Sequence, residues 1–154
     1  MSEKEADVSP ERGGATPEAE IRALIDDWAE AIRDKDVHGV LAHYVPDSLT
    51  FDLAPPLTST GADADGLQAW FATWRGPLGY EIRDLSITAG DDVAFCHSLA
   101  RLSGTKADGD EADLWFRLTL GLRRLAGEWR IAHQHESVPF YMDGSYRAAV
   151  DLKP

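Results

Sequence analysis

Apolar residues in this chain recur at helical intervals before Gly76-Pro77 and alternate with polar ones after it. Ile21, Leu24, Ile25, Trp28 and Ile32 fall at i, i+3, i+4, i+7 and i+11, a single stripe along a helix. Thr16 can cap that helix, Pro17 suits its first turn, and Glu18 and Glu20 favour the positive end of its dipole, so the pattern predicts a helix to about Asp34. Asp36 can cap a second, shorter helix with Val37, Val40, Leu41 and Tyr44 on its apolar face, ended by Val45-Pro46-Asp47. Residues 49–53 read as a short strand, residues 58–61 as a turn, and residues 63–74 as a third helix presenting Leu67, Trp70, Phe71 and Trp74. Four strands follow over residues 80–88, 93–103, 114–125 and 129–138, separated by Gly- and Asp-rich turns. Helices first and long antiparallel strands after predict an α+β fold, with helices covering one face of a curved sheet.

Alternation assigns faces to those strands. In the strand from Val93, His97 shares a face with Phe95 and Arg101. In the next, Trp115, Arg117 and Thr119 oppose Phe116, Leu118, Leu120 and Leu122. Bulky aromatics seldom choose solvent, so the Trp115 face is expected to line a cavity under the helices. The leucines would then form an outward apolar patch. A second copy of the chain is the usual cover for such a face, which predicts a homodimer through the convex side. The reverse assignment makes the leucines core and leaves Arg117 solvated. In the last strand Trp129, Ile131, His133, His135 and Ser137 fall on one face, and Arg130, Ala132, Gln134 and Glu136 on the other.

Composition narrows the partners. Asp and Glu outnumber Lys and Arg by 27 to 15, and a formal charge of −12 repels phosphate backbones and anionic lipid, so neither nucleic acid nor membrane is expected. No apolar run approaches the ~20 residues that span a bilayer. The acidic stretch over residues 1–14 lacks the apolar core of a secretion signal, and the expected address is cytoplasmic. Residues 1–15 carry almost nothing to bury and are expected to be a mobile acidic tail, with one domain over residues 16–154. The single cysteine, Cys96, has no internal disulfide partner and reads as a small buried hydrophobe.

The two histidines of the last strand, His133 and His135, stand close enough to share a ligand. A metal would need a third donor, which His97 or Asp52 could supply, but the chain has no HExxH or dense Cys/His array, so no metal and no cofactor are expected. The structural alternative is that one imidazole hydrogen-bonds a neighbouring strand or loop while the other packs. His38 and His43 read as structural.

Phe51-Asp52-Leu53 ahead of Pro55-Pro56-Leu57 and Gly61, Trp115-Phe116-Arg117-Leu118-Thr119, and the terminal Gly127 to Phe140 stretch with His133-Gln134-His135-Glu136-Ser137-Val138-Pro139 make the chain resemble the NTF2-like superfamily. Within it, the chain is most similar to SnoaL-like, ketosteroid-isomerase-like proteins, over about residues 17–152. The resemblance implies a cone-shaped α+β barrel with a pocket between the first helix and the concave sheet, and usually a homodimer. The position matching the ketosteroid isomerases' catalytic base holds Asp52. Their oxyanion donors are replaced: Trp28 stands for the helix tyrosine, and Thr119, with Arg117 one pleat away, for the strand aspartate.

The expected activity is metal-independent proton abstraction from an apolar, carbonyl-containing small molecule: isomerisation, cyclisation or dehydration. Asp52 would be the base, Arg117 with His97 or His133 the electrophilic partner, and Trp28, Tyr44, Trp70, Trp74 and Trp115 the walls, with Thr119 and His135 also at the ligand. A noncatalytic binder of a small aromatic ligand and a dimeric association domain are the alternatives.

Overall fold

A computed structural model describes residues 14–154, so the tail expected over residues 1–15 lies almost wholly outside the described residues. Helix α1 (Pro17–Arg33) begins where Thr16 Oγ accepts from Ala19 N at 3.2 Å, and Pro17 occupies its first turn. Its stripe is buried as expected, from Ile21 and Ile25 through Trp28 to Ile32. Asp36 caps α2 (Val37–Leu41), accepting from Gly39 N at 3.0 Å. Asp63 caps α3 (Ala64–Ala72) in the same way, from Gly66 N at 2.9 Å.

Two helix ends differ from the periodic pattern. Tyr44 and Val45-Pro46-Asp47 belong not to α2 but to β1 (Tyr44–Phe51), because Ile131 N donates to His43 O and pairs the chain with the last strand from Tyr44 onward. Pro46 sits in the irregular stretch of that pairing, where its missing N–H removes no ladder bond. Trp74 opens β3 (Trp74–Ala89) rather than closing α3. The helix ends as Thr73 N bonds Trp70 O, and the Trp74 indole enters the core with Lys106 Nζ 3.9 Å from its ring centre. Gly76, at a φ of 70°, permits the register shift that carries the strand past Pro77.

The fold is α+β. The remaining strands are β2 (Ser59–Thr60), β4 (Val93–Lys106), β5 (Glu111–Leu125) and β6 (Glu128–Ser137). They form one sheet of order β2-β1-β6-β5-β4-β3, antiparallel except where β1 runs parallel to β6. Register shifts within β3 and in the β5/β6 ladder bend the sheet around α1. Among the described residues no helix is long and apolar enough to cross a membrane.

The parity of β5 is the reverse of the favoured expectation. Phe116, Leu118, Leu120 and Leu122 are all buried, in one core with the α1 stripe, and Cys96 and Ala100 of β4 join them. Trp115, Arg117 and Thr119 therefore face outward, as does His97 between buried Cys96 and Ser98. The aromatic side chain that argued for the opposite assignment is shielded by charge. The Arg83 and Arg101 guanidinium groups both lie over Trp115, 5.7 and 5.9 Å from its ring centre. Stacked arginines cover a tryptophan without a core. The four apolar side chains do not form an outward patch, and an argument for a dimer cannot rest on them.

Removing Leu120 should leave a cavity in this core, whereas among the described residues Arg117 has only an exposed bond from its Nε to Ser137 Oγ, at 3.0 Å. Leu120→Ala is expected to cost about 2–5 kcal/mol and Arg117→Ala no more than about 0.5 kcal/mol, measured by urea denaturation. Equal costs would contradict the assignment of faces.

Candidate functional site

One extra residue in β6 decides which of its side chains enter the site. Gly121 of β5 pairs with His133, but its neighbour Leu122 pairs with Ile131, so Ala132 is bulged out of the ladder. Ahead of the bulge Trp129 and Ile131 point into the core, and beyond it Gln134 takes the inward place, only 7% exposed. Glu136, two residues on, follows it. His133 and His135 do share a face, but it is the outer one rather than the face of Trp129 and Ile131. The bulge is the reason, because it shifts a period-two pattern by one.

On that outer face the imidazoles follow the structural alternative. His133 Nδ1 donates to Leu49 O at 2.7 Å, and both rings meet the edge of Phe51, with ring centres 5.0 and 5.2 Å away. Among the described residues no three His, Cys, Asp or Glu side chains converge as metal ligands do.

The inward residues form a polar chain. Trp28 Nε1 donates to Tyr44 Oη at 3.0 Å, Tyr44 Oη donates to Gln134 Oε1, and Gln134 Nε2 donates to Glu136 Oε1 at 2.7 Å. Burial pushes the Glu136 carboxyl up to about 7; the negative charge of Asp52 adds to the rise and the Gln134 bond opposes it. Asp52 follows β1 and is raised by burial alone. The hydroxyls of Tyr44 and Tyr80 are driven upward by burial, and that of Tyr80 has no hydrogen-bond partner among the described residues.

Asp52 and Glu136 both line a cavity of about 730 Å³, together with Leu53, Pro55, Pro56 and Leu57. Apolar side chains beside two carboxyl groups suit a small molecule with one polar end. His135 also reaches this cavity, the one member of the expected ligand set to do so besides Asp52. Trp28 and Tyr44 fill the interior beneath α1 instead of walling an open pocket. Trp70 packs on both Phe71 and Trp74, with ring centres 5.4 and 5.9 Å away. Trp115, Thr119, Arg117, His97 and His133 lie on the other side of the sheet, and none lines the cavity.

Strict alternation conceals Glu136 and Gln134, grouping them with Arg130 on a solvated face. The available signal is Gly121, since a glycine inside a strand often marks a bulge in its ladder.

The sequence matches the SnoaL-like domain family over residues 21–141. Among solved structures, the chain is similar to an NTF2-like protein of unknown function from Pseudomonas putida KT2440, with 34% identity and a TM-score of 0.80 over 92% of this chain and 100% of that one. A ketosteroid isomerase-like protein from Erwinia carotovora atroseptica SCRI1043 is 26% identical, with a TM-score of 0.66 over 77% of this chain and 93% of that one. Among curated proteins, none matches by sequence.

The raised Glu136 carboxyl makes stability depend on pH. Its ordinary value is 4.5 and its folded value about 7, so between the two the folded chain holds a proton that the unfolded chain has lost. Its contribution is complete below 4.5 and disappears as pH rises through about 7. Glu136→Gln should flatten this decline and make the variant more stable than wild type at pH 8, as measured by denaturation at pH 5 and pH 8. A steeper decline in the variant would refute the burial of this carboxyl.

Proposed function

The chain belongs to the SnoaL-like domain family of the NTF2-like fold, and on that premise we propose a small pocket enzyme that moves protons on an apolar, carbonyl-containing molecule. The carrying observation is the pair of carboxyl groups on one cavity, Asp52 raised by burial and Glu136 raised further, to about 7. Unequal environments for two carboxyls divide the roles of base and acid between them. Ionised Asp52 takes the proton from the carbon beside the carbonyl. Protonated Glu136 gives its proton to the developing enolate oxygen, or to a departing hydroxyl that leaves as water. Return of the proton from Asp52 to another carbon, as the enol hands its hydroxyl proton back to Glu136 and the carbonyl re-forms, completes an isomerisation. The reaction asks for no metal or cofactor. Compared with the expectation from sequence, Asp52 keeps its role, and Glu136 replaces Arg117, His97 and His133 as the group that meets the oxygen.

Substrate candidates come from a screen of carbonyl and hydroxy-carbonyl compounds by thermal shift, since a ligand of the folded state raises its stability. With a turnover assay in hand, Asp52→Asn should lower the rate by about 10²–10⁴-fold and change ligand affinity only a few-fold. Wild-type turnover should decline as pH rises past about 7, where Glu136 loses its proton. Activity of Asp52→Asn within a few-fold of wild type would remove it as the base.

A second reading, a dimeric association domain, is favoured by two observations: Trp28 fills the interior beneath α1, and Val93 and Phe95 remain 65% and 52% exposed on the outer sheet face. The two readings are compatible if a symmetric copy covers that face and leaves the cavity open. Sedimentation at micromolar concentration should then give a dimer, and Phe95→Glu should weaken it by at least about tenfold while leaving the fold intact. A wild-type monomer would exclude the association reading.

A further inference from the structure

The chain from Trp28 to Glu136 can run in only one direction. An indole N–H donates and never accepts, so Tyr44 Oη receives the Trp28 hydrogen and must direct its own proton elsewhere. Gln134 Oε1 takes that proton, which turns the Gln134 amide so that Nε2 faces Glu136 and donates to Oε1. The flipped amide would set an N–H against a hydroxyl that already accepts one, leaving the tyrosine proton with no acceptor in a buried site. Each bond therefore determines the sense of the next, across residues from α1, β1 and β6.

We propose that Tyr44 and Gln134 are positioning residues that transmit the polarity of the Trp28 indole to the cavity, holding Glu136 Oε1 as an acceptor and leaving Oε2 to carry the exchangeable proton. This deepens the proton-transfer reading and rests on it for its catalytic meaning, though the hydrogen-bond chain exists independently of any substrate. A carboxyl with one oxygen committed presents a single protonation site, which orients the acid toward one lone pair of a bound carbonyl. The bond from Gln134 also favours the ionised form and offsets part of the burial. The other titratable groups acting on Glu136 and its partners are Asp52 at the cavity mouth and the hydroxyls of Tyr44 and Tyr80.

The test is an NMR titration of the full chain with carbon-13-labelled glutamate carboxyls, following the Trp28 indole N–H and the Gln134 side-chain amide in the same samples. In the wild type all three signals should shift with one midpoint. Tyr44→Phe should raise the Glu136 midpoint by roughly one unit and uncouple the indole signal from it. Loss of packing alone would admit water and lower that midpoint, the opposite direction. An indole signal that stays flat while Glu136 titrates in the wild type would overturn the relay, with no variant needed. So would an unchanged midpoint in a folded Tyr44→Phe protein. Linked titration without turnover on any carbonyl compound would uphold the chain and overturn the enzyme reading, which separates the two failures.

Discussion

The bulge at Ala132 is the local feature on which the site depends. Without it β6 would present Trp129, Ile131, His133 and His135 to one face, and the core strand would end in imidazoles. With it, Trp129 and Ile131 close the core while Gln134 and Glu136 turn inward. The extra residue also increases the local twist, which helps the sheet wrap α1. A single strand thereby does two jobs: its first half is packed with apolar side chains, and its second half carries a carboxyl to the cavity.

Bringing a carboxyl inside is costly, and the surroundings answer the cost in two ways. The carboxyl keeps its proton up to about pH 7, which avoids a bare buried charge, and it accepts a hydrogen bond from Gln134. The same bond ties the cavity to α1 through Tyr44 and Trp28. A helix whose apolar stripe looks purely structural thus joins, through one indole N–H, the hydrogen-bond chain that ends at Glu136. Tyr80, buried beside Phe116 and Trp28 with its hydroxyl unpaired, marks where this polar interior stops being satisfied.

The outer face has a different character. Arg101 forms a bidentate pair with Asp113, at 2.8 and 2.7 Å, and shares Trp115 with Arg83, while His133 and His135 gather around Phe51. These contacts make the outside of the sheet an ordered mixture of cations and aromatic rings on a chain whose net charge is −12. Function in a fold of this kind resides in the site grafted onto it, so the inward and outward faces have to be judged separately.

Local signals in the sequence determined the α+β class, most of the elements and the place of Asp52 beside the end of a strand, but not β2, which lies in the turn expected over residues 58–61. Thr16, Asp36 and Asp63 cap the described helices, the Ile21-to-Ile32 stripe is buried, and β3 to β6 are separated at their predicted turns, because caps, periodicity and turn residues act over a few neighbouring positions. The resemblance carried by Phe51-Asp52-Leu53 and the His133-to-Pro139 stretch pointed to the family to which the chain belongs. The faces of the strands lay beyond such signals. Alternation gives two sets of residues without saying which is inside, and the Trp115 ring misled because Arg83 and Arg101, on other strands, are what cover it. Glu136 stayed hidden because its parity depends on the pairing of Gly121 with His133, a contact between strands. Tertiary structure decided the site, because a one-residue shift in a ladder leaves composition and propensity unchanged while moving every side chain beyond it to the opposite face.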